Sequence, residues 1–292
     1  MKKIFFILCT ALVSVNLVAQ TNLPVPINIK AAFDKGTRDI NGKPGKNYWQ
    51  NTAVYDIAVN FEPATRVITG TEVINYTNNS PDTLKEIIFK LYPNIYKKGS
   101  SRLMNISGDD VTDGLIIEKM SAAGTLITES NYRIDATNMI VRIEPLLPNR
   151  SVNFSIAYSY TLNKKSHMRT GEIEAGAYFI AYFFPRIAVY DDIDGWNRNP
   201  YLGTHEFYND FCDFTLAITA PADYTVWATG ELENADKIFK EKYLKRIQQA
   251  EANDGYVTVI DSTDIGMEHT TKGDKTNTWK FNAKHVTDAV FS

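Results

Sequence analysis

Short runs in which apolar and polar residues alternate recur along this chain, and a period of two restricts such a chain to β-structure. In YDIAVNF, Tyr55, Ile57, Val59 and Phe61 alternate with Asp56, Ala58 and Asn60. TGTEVINYTN and LKEIIFKLYPN follow. Met139, Val141 and Ile143 share one face, as do Val152, Phe154, Ile156, Tyr158 and Tyr160. AYFIAYFFP, DFTLAITAP, YTVWATGEL, YVTVIDS and WKFNAKHV are further candidates. Asn78-Asn79-Ser80-Pro81 and Leu147-Pro148-Asn149 supply turns between runs. Roughly a dozen short strands at this spacing predict an all-β chain of sandwich or stacked antiparallel sheets. Aromatic residues make up 12% of the 292, including 16 Tyr and 15 Phe, which favours sheet over helix.

One segment breaks the period. In NADKIFKEKYLKRIQQAEANDG, Phe239, Tyr243 and Ile247 recur every fourth residue, with Ile238 and Ala250 beside them. Asn234 is the expected cap and Asn253-Asp254-Gly255 the stop. The pattern predicts one amphipathic surface helix. Its Lys and Arg are interspersed with Glu and Asp, which argues for a solvated face over a sheet and against a membrane-binding one. Residues 20–47 hold Pro24, Pro26, Gly36, Gly42, Pro44 and Gly45 and read as an extended leader. Residues 48–292 read as one β domain, with no internal repeat.

The first residues, MKKIFFILCTALVSVNLVAQ, have a basic start at Lys2 and Lys3, an apolar stretch from Ile4 to Val15 and a small residue, Ala19, before Gln20. This is the pattern of a secretory signal cleaved after Ala19, giving a periplasmic or secreted protein with no membrane span. Ser14 and Asn16 interrupt a run already shorter than the roughly 20 residues a spanning helix needs. Cys9 lies too early for lipoprotein processing. Cleavage leaves Cys212 as the only cysteine, so no internal disulfide is expected. Its apolar neighbours predict a buried, inert thiol. The net charge of -3 offers no concentrated basic surface, and nucleic acid is not an expected partner.

Chemistry-bearing motifs are incomplete. His205-Glu206 begins a His-Glu-x-x-His pattern, but Asn209 stands where the second zinc-binding histidine must be. His205 therefore reads as a surface or interface residue. YDDIDGWNRN places Asp191, Asp192 and Asp194 before Gly195, but counting back as in an EF-hand puts Tyr190 and Tyr201 at ligand positions one and twelve. A turn held by Asp side chains, a weak calcium site and an acidic wall on a cleft remain as readings. No phosphate loop and no nucleophile–base pair is visible.

Three long stretches together resemble the aminopeptidase N family, the gluzincin zinc exopeptidases that include leukotriene hydrolase. They are YDIAVNFEPATRVITGTEVINYTNNSPDTLKEIIFKLYPN, FFPRIAVYDDIDGWNRNPYLGTHEFYNDFCDFTLAITAPADYTVWATGEL and WKFNAKHVTDAVFS. The middle one is the most specific. It is similar to the exported bacterial branch with Phe-Pro-Arg/Lys, Val-Tyr-Asp, Gly-Trp and Glu-Phe-Tyr, which also carries the helical insertion before YVTVIDS. The resemblance implies a non-catalytic N-terminal saddle of β-sheets covering the substrate cleft of a zinc aminopeptidase. It implies no cofactor in this chain, zinc in a catalytic domain missing from it, that domain as partner, and peptide substrates reached through it. It further implies that the chain is a fragment stopping inside its last sheet. Ala289, Val290 and Phe291 would then begin a strand left with an open apolar edge. Family members grip the substrate amine with a Gln or Glu upstream of Phe-Pro. The window GEIEAGAYFIAYFFPR offers Glu172 and Glu174, neither on the family spacing. With Asp191, Asp192, Asp194 and Glu206 they form the candidate cleft residues, against the reading of a solvated loop. The competing function is a free-standing carbohydrate-binding or adhesive β-sandwich using Trp49, Trp196 and Trp227 as stacking faces.

Overall fold

The computed structural model describes residues 24–165, 167, 169–264 and 269–292. The expected secretory signal, residues 1–19, lies outside the described residues. In chain order the structure holds helix α1 (Ile27–Lys35) and strands β1 (Thr52–Glu62), β2 (Val67–Asn78), β3 (Leu84–Lys90), β4 (Ile116–Ala122), β5 (Thr125–Ile127), β6 (Tyr132–Asp135), β7 (Asn138–Leu146) and β8 (Arg150–Thr161). Then come β9 (Thr170–Glu174), β10 (Ala177–Ala181), β11 (Arg186–Ile187), β12 (Tyr190–Asp191), β13 (Gly195–Trp196), β14 (Cys212–Pro221) and β15 (Glu231–Leu232). Helices α2 (Ala235–Ile238) and α3 (Glu241–Glu251) precede β16 (Thr276–Val286) and β17 (Val290–Phe291).

The protein is mostly β. One sheet has eight strands in the order β15-β16-β14-β1-β2-β8-β4-β5, and a second has four, β11-β3-β7-β6. Alternation sets the layers. In β1 every second residue is buried, with Tyr55, Ile57, Val59 and Phe61 inward. Phe154 and Ile156 of β8, Phe214 and Leu216 of β14 and Trp279 and Phe281 of β16 join the same core. Ile87, Phe89, Met139 and Val141 of the second sheet close over it, and Phe89 meets Phe154 edge-on at 5.3 Å. Among the described residues the named strands pair antiparallel except for β1 and β14, which run parallel from Val54↔Asp213 to Asn60↔Thr219.

One glycine is required by packing. Gly70 faces Tyr158 across β2 and β8, and a Cβ at Gly70 would sit 2.3 Å from the Tyr158 ring. The ring lies over the space that a side chain would fill. Glu72, two residues on, is 1% exposed between Ile57 and Ile156, and neither carboxyl oxygen has a hydrogen-bond partner.

Several segments differ from the sequence pattern. The extended leader contains a helix, α1. Pro26 stands before it and Gly36 ends it in the left-handed conformation, with φ 71° and its N–H on Phe33 O. Pro26 and Gly36, two of the residues that read as turn formers, are thus the start and stop of a helix. The single amphipathic helix is two helices. Between them Phe239 is extended and bridges Thr271, while Lys240 N donates to Thr270 O. This break seats the Phe239 ring, wholly buried, on Trp279 at 5.1 Å. Asn234 makes no capping bond with its side chain. Its side chain instead binds the edge of β16, donating to Thr278 O and accepting from Lys280 N.

YVTVIDS forms no strand, and Tyr256 is fully exposed. Asp264, through its bonds to Lys242, Arg246 and Asp261 N, ties this segment to α3, and no sheet edge holds it. Only Glu231–Leu232 of YTVWATGEL pairs in a strand, and AYFIAYFFP leaves its strand after Ala181. The apolar edge expected at Ala289–Phe291 is not open either. Phe291 is 3% exposed, pairs with Ile180 of β10 and packs edge-on against Phe183 at 4.9 Å. Among the described residues no helix is long and apolar enough to cross a membrane.

Glu72 gives a pH prediction. Burial holds its carboxyl well above the ordinary carboxylate range. A folded value above the unfolded one, about 4.3, contributes stability below that pH, and the contribution is lost as pH rises toward the folded value. Glu72→Gln, which cannot ionise, is expected to show a flatter decline in stability above about pH 5. Urea midpoints for both proteins across a pH series test this, and parallel profiles would count against it.

Candidate functional site

The site is built on the hairpin of β12 and β13. Its turn is held by Asp191, whose Oδ1 accepts from Ile193 N at 3.0 Å and Asp194 N at 2.7 Å. This is the Asp-held turn among the three readings of YDDIDG. Gly195, with φ 70°, completes it. Asp191 Oδ2 accepts from the Tyr208 hydroxyl at 2.9 Å, which ties the hairpin to the THEFYND segment. The hairpin aromatics are fixed from behind. Trp196 is 8% exposed and contacts Tyr76 and Tyr190, while the Tyr190 hydroxyl donates to Asp82 Oδ2 at 2.8 Å.

A cavity of about 720 Å³ opens beside this hairpin. Asp191, Asp194 and Glu206 line it together, so the structure unites three of the six candidate carboxylates. Asp194 Oδ1 accepts from Asn28 Nδ2 at 2.8 Å, and Glu206 lies 3.5 Å from Arg169. His205 is exposed on the same cavity. Aromatic walls come from Tyr92, Trp196, Tyr201 and Phe207, with the Tyr92 and Phe207 rings 4.5 Å apart.

The other three carboxylates lie elsewhere. Asp192 points to a second cavity, of about 920 Å³, where Arg38 grips it with Nε and Nη2 at 3.0 and 2.8 Å. Burial alone would raise its carboxyl, but the bonds from Arg38 outweigh that and hold it below its usual value. Glu172 and Glu174 sit on β9 and line neither cavity. Glu172 Oε1 accepts from Gly176 N at 3.0 Å, a bond that closes the β9–β10 hairpin.

Three groups missed by the sequence pattern shape this region. Lys90 is 2% exposed and lines the 720 Å³ cavity. Its Nζ donates to Asn138 Oδ1 and Asn199 O, each at 2.8 Å, and burial lowers its pKa to about 8. A lysine on a strand ordinarily faces solvent, so nothing in LKEIIFKLYPN marks it. Arg186 is the second, the Arg of the Phe-Pro-Arg motif. It is buried, donates from Nη2 to Asp210 O at 2.8 Å and lies 3.7 Å from Asp288. Asp210 is the third; burial raises its carboxyl to about 6. Cys212 is buried as expected, and burial pushes its thiol up to about 11, which keeps it protonated.

The three tryptophans do not share a surface. Trp196 lines the 720 Å³ cavity, and Trp49 stacks on Tyr190 in the 920 Å³ one. Trp227, 41% exposed, lies in a third, of about 490 Å³. Among the described residues no group of three His, Cys, Asp or Glu side chains is placed to hold a metal ion.

Arg38 joins the leader to the hairpin through a nearly buried carboxylate, so its loss strands a charge. Arg38→Ala is expected to lower stability by about 3 kcal/mol, the low end for removing one partner of a buried pair. Because the folded Asp192 value is depressed, this contribution is present above the ordinary aspartate range and disappears as pH falls through the folded value. Denaturant melts of Arg38→Ala, Asp192→Ala and the double variant test it. Additive single effects would show that the pair is not coupled.

The sequence matches no family model, and no curated protein matches it. Among solved structures, the chain is similar to an M1 zinc metallopeptidase from Deinococcus radiodurans. The identity is 14%, with a TM-score of 0.47, over 85% of this chain and 43% of that one. It is also similar to Legionella pneumophila aminopeptidase A in complex with aspartic acid. There the identity is 9%, with a TM-score of 0.41, over 83% of this chain and 21% of that one. The chain thus spans less than half the length of these structures.

Proposed function

We propose that this chain supplies the non-catalytic N-terminal β domain of an exported zinc aminopeptidase of the aminopeptidase N family, where it covers the substrate cleft of a catalytic domain. The observation that carries the reading is local. The sequence stretch most similar to that family, FFPRIAVYDDIDGWNRNPYLGTHEFY, is also the stretch that builds the walls of the 720 Å³ cavity. Motif and concave surface coincide, and concave surfaces with a few convergent polar groups are where ligands bind.

The side chains here do not fit zinc, so the peptide-cleaving chemistry is assigned to the partner domain and its substrates. The domain's own contribution is a wall. It presents Asp191, Asp194 and Glu206 beside aromatic rings, a surface suited to the cationic and apolar parts of a peptide. The start of the sequence supports export, with its basic residues, apolar stretch and Ala19.

The gene tests the domain reading. An in-frame His-Glu-x-x-His within a few tens of codons beyond codon 292 is expected. A protein extended through that motif should release N-terminal residues in a chelator-sensitive way. A frame that closes without the motif would overturn the reading and favour a free-standing carbohydrate-binding or adhesive β-sandwich. Export is tested separately by the intact mass of periplasmic or secreted protein, which should begin at Gln20. Retention of Met1 to Ala19 would sink that part.

A further inference from the structure

The 920 Å³ cavity lies where the leader meets the β2–β3 turn, the β7–β8 turn and the β12–β13 hairpin. Its aromatic part is fixed in place. Trp49, half-buried, stacks on Tyr190 with the ring centres 5.6 Å apart and the planes 26° from parallel. Tyr190 is itself held by Trp196, edge-on at 5.1 Å, and by its hydroxyl bond to Asp82 Oδ2 at 2.8 Å. One face of Trp49 is thus covered. Among the described residues no second ring and no cation contacts it.

Around this ring are polar side chains with atoms left over. Asn79 donates from Nδ2 to Gln50 O at 2.8 Å, which sets its amide beside the backbone that follows Trp49, and its Oδ1 has no donor among the described residues. Asn47 donates from Nδ2 to Lys35 O at 2.8 Å, and its Oδ1 is likewise unused. Asp82 accepts from Tyr190 with Oδ2 only. Asn149, held at the turn by its N–H on Asn78 O at 2.6 Å, makes no side-chain hydrogen bond among the described residues. These atoms are wetted in the free protein. A ligand that displaces the water must bring hydrogen-bond donors, because stripping an acceptor without replacing its bond is costly.

Charge narrows the choice. Asp192 is neutralised by Arg38, and the one carboxylate beside Tyr190, Asp82, has no cationic partner and disfavours an anion. Lys35, also on the cavity, opposes a simple cation. The remaining demand is for an uncharged molecule rich in hydroxyl donors with a flat C–H face to lie on an indole. We infer that this cavity is a binding site for a neutral sugar, its pyranose ring stacked on Trp49 and its hydroxyls donating to Asn47, Asn79 and Asp82. The volume is within the range of small-molecule sites. Trp49, Asn47, Asn79, Asp82 and Asn149 do not line the 720 Å³ cavity, so this site is separate from the proposed cleft wall.

The test is nuclear magnetic resonance titration of the purified chain. Four probes are the methyl glycosides of glucose, galactose, mannose and N-acetylglucosamine. Glucuronate adds a negative charge, and cyclohexanol keeps a six-membered ring with a single hydroxyl. At least one glycoside is expected to bind, and to bind more tightly than both comparison compounds. Trp49→Ala is expected to weaken that glycoside about fivefold, within what an aromatic contact contributes. Asn149→Gly tolerates the left-handed backbone at this position, φ 57°, and removes only an unbonded side chain; it should weaken the glycoside while the melting temperature stays close to that of the unaltered chain. Binding of none of the four, equal binding of cyclohexanol or glucuronate, or unchanged affinity in both variants would each overturn the inference. If Trp49→Ala does not fold, Asn149→Gly and the comparison compounds decide. The outcome is independent of the domain reading, which the downstream frame judges: a chain that binds no sugar can still precede a zinc domain, and a frame without the zinc motif leaves a measured sugar affinity intact.

Discussion

Strand β1 is paired on both edges, antiparallel to β2 and parallel to β14, and the parallel contact organises the molecule. Parallel neighbours cannot be joined by a tight turn, so the chain between them must cross over the sheet. That crossover contains the second sheet and the hairpin of β12 and β13. The register also pairs Tyr55 with Phe214, and their rings stack at 5.0 Å. The Arg186 guanidinium lies over both, 6.0 and 5.6 Å from the ring centres, and Ile187 N donates to the Tyr55 hydroxyl at 3.1 Å. The Phe-Pro-Arg segment is thus fastened to a platform that exists only because β1 and β14 are in this register.

Three buried ionisable groups show how differently one fold compensates charge. Arg186 has ring faces, a carbonyl and a carboxylate 3.7 Å away. Burial acts to lower its pKa, but its charge interactions with Tyr55, Cys212, Asp288 and Tyr92 outweigh that and leave it above the ordinary value. Glu72 has no hydrogen-bond partner, and burial pushes its carboxyl well above the ordinary range, which favours the neutral acid. Lys90 lies between these cases, with two neutral acceptors and an open cavity beside it.

Much of the fold was legible because sheet burial has a period of two. The alternation in YDIAVNF, in Val152–Tyr160 and in WKFNAKHV corresponds to inward faces in β1, β8 and β16. The Asp-held turn was legible too, since it depends on residues two and three apart. The separation of the six carboxylates was not. Asp191 and Asp192 are adjacent in sequence, but Asp191 ends β12 and accepts from Tyr208, whereas Asp192 lies in the turn and is gripped by Arg38, so they meet different cavities. Glu206 reaches Asp191's cavity through the Tyr208 bond to Asp191, a contact that the spacing of residues does not encode.

The sequence by itself determined the β class, the inward residues of the long strands, the hairpin turn and the stretch that lines the cavity. Those properties follow from local periodicity and turn chemistry. Tertiary structure alone decided where apolar runs stop being strands. Phe239 leaves a helix because the Trp279 surface is available to bury it, and YVTVIDS stays out of a sheet because Asp264 ties it to α3. It also decided which charges are compensated. Whether a lysine in a strand is solvated or faces a cavity depends on what packs over it, and that depends on residues distant in the chain, here Asn138 and Asn199 for Lys90.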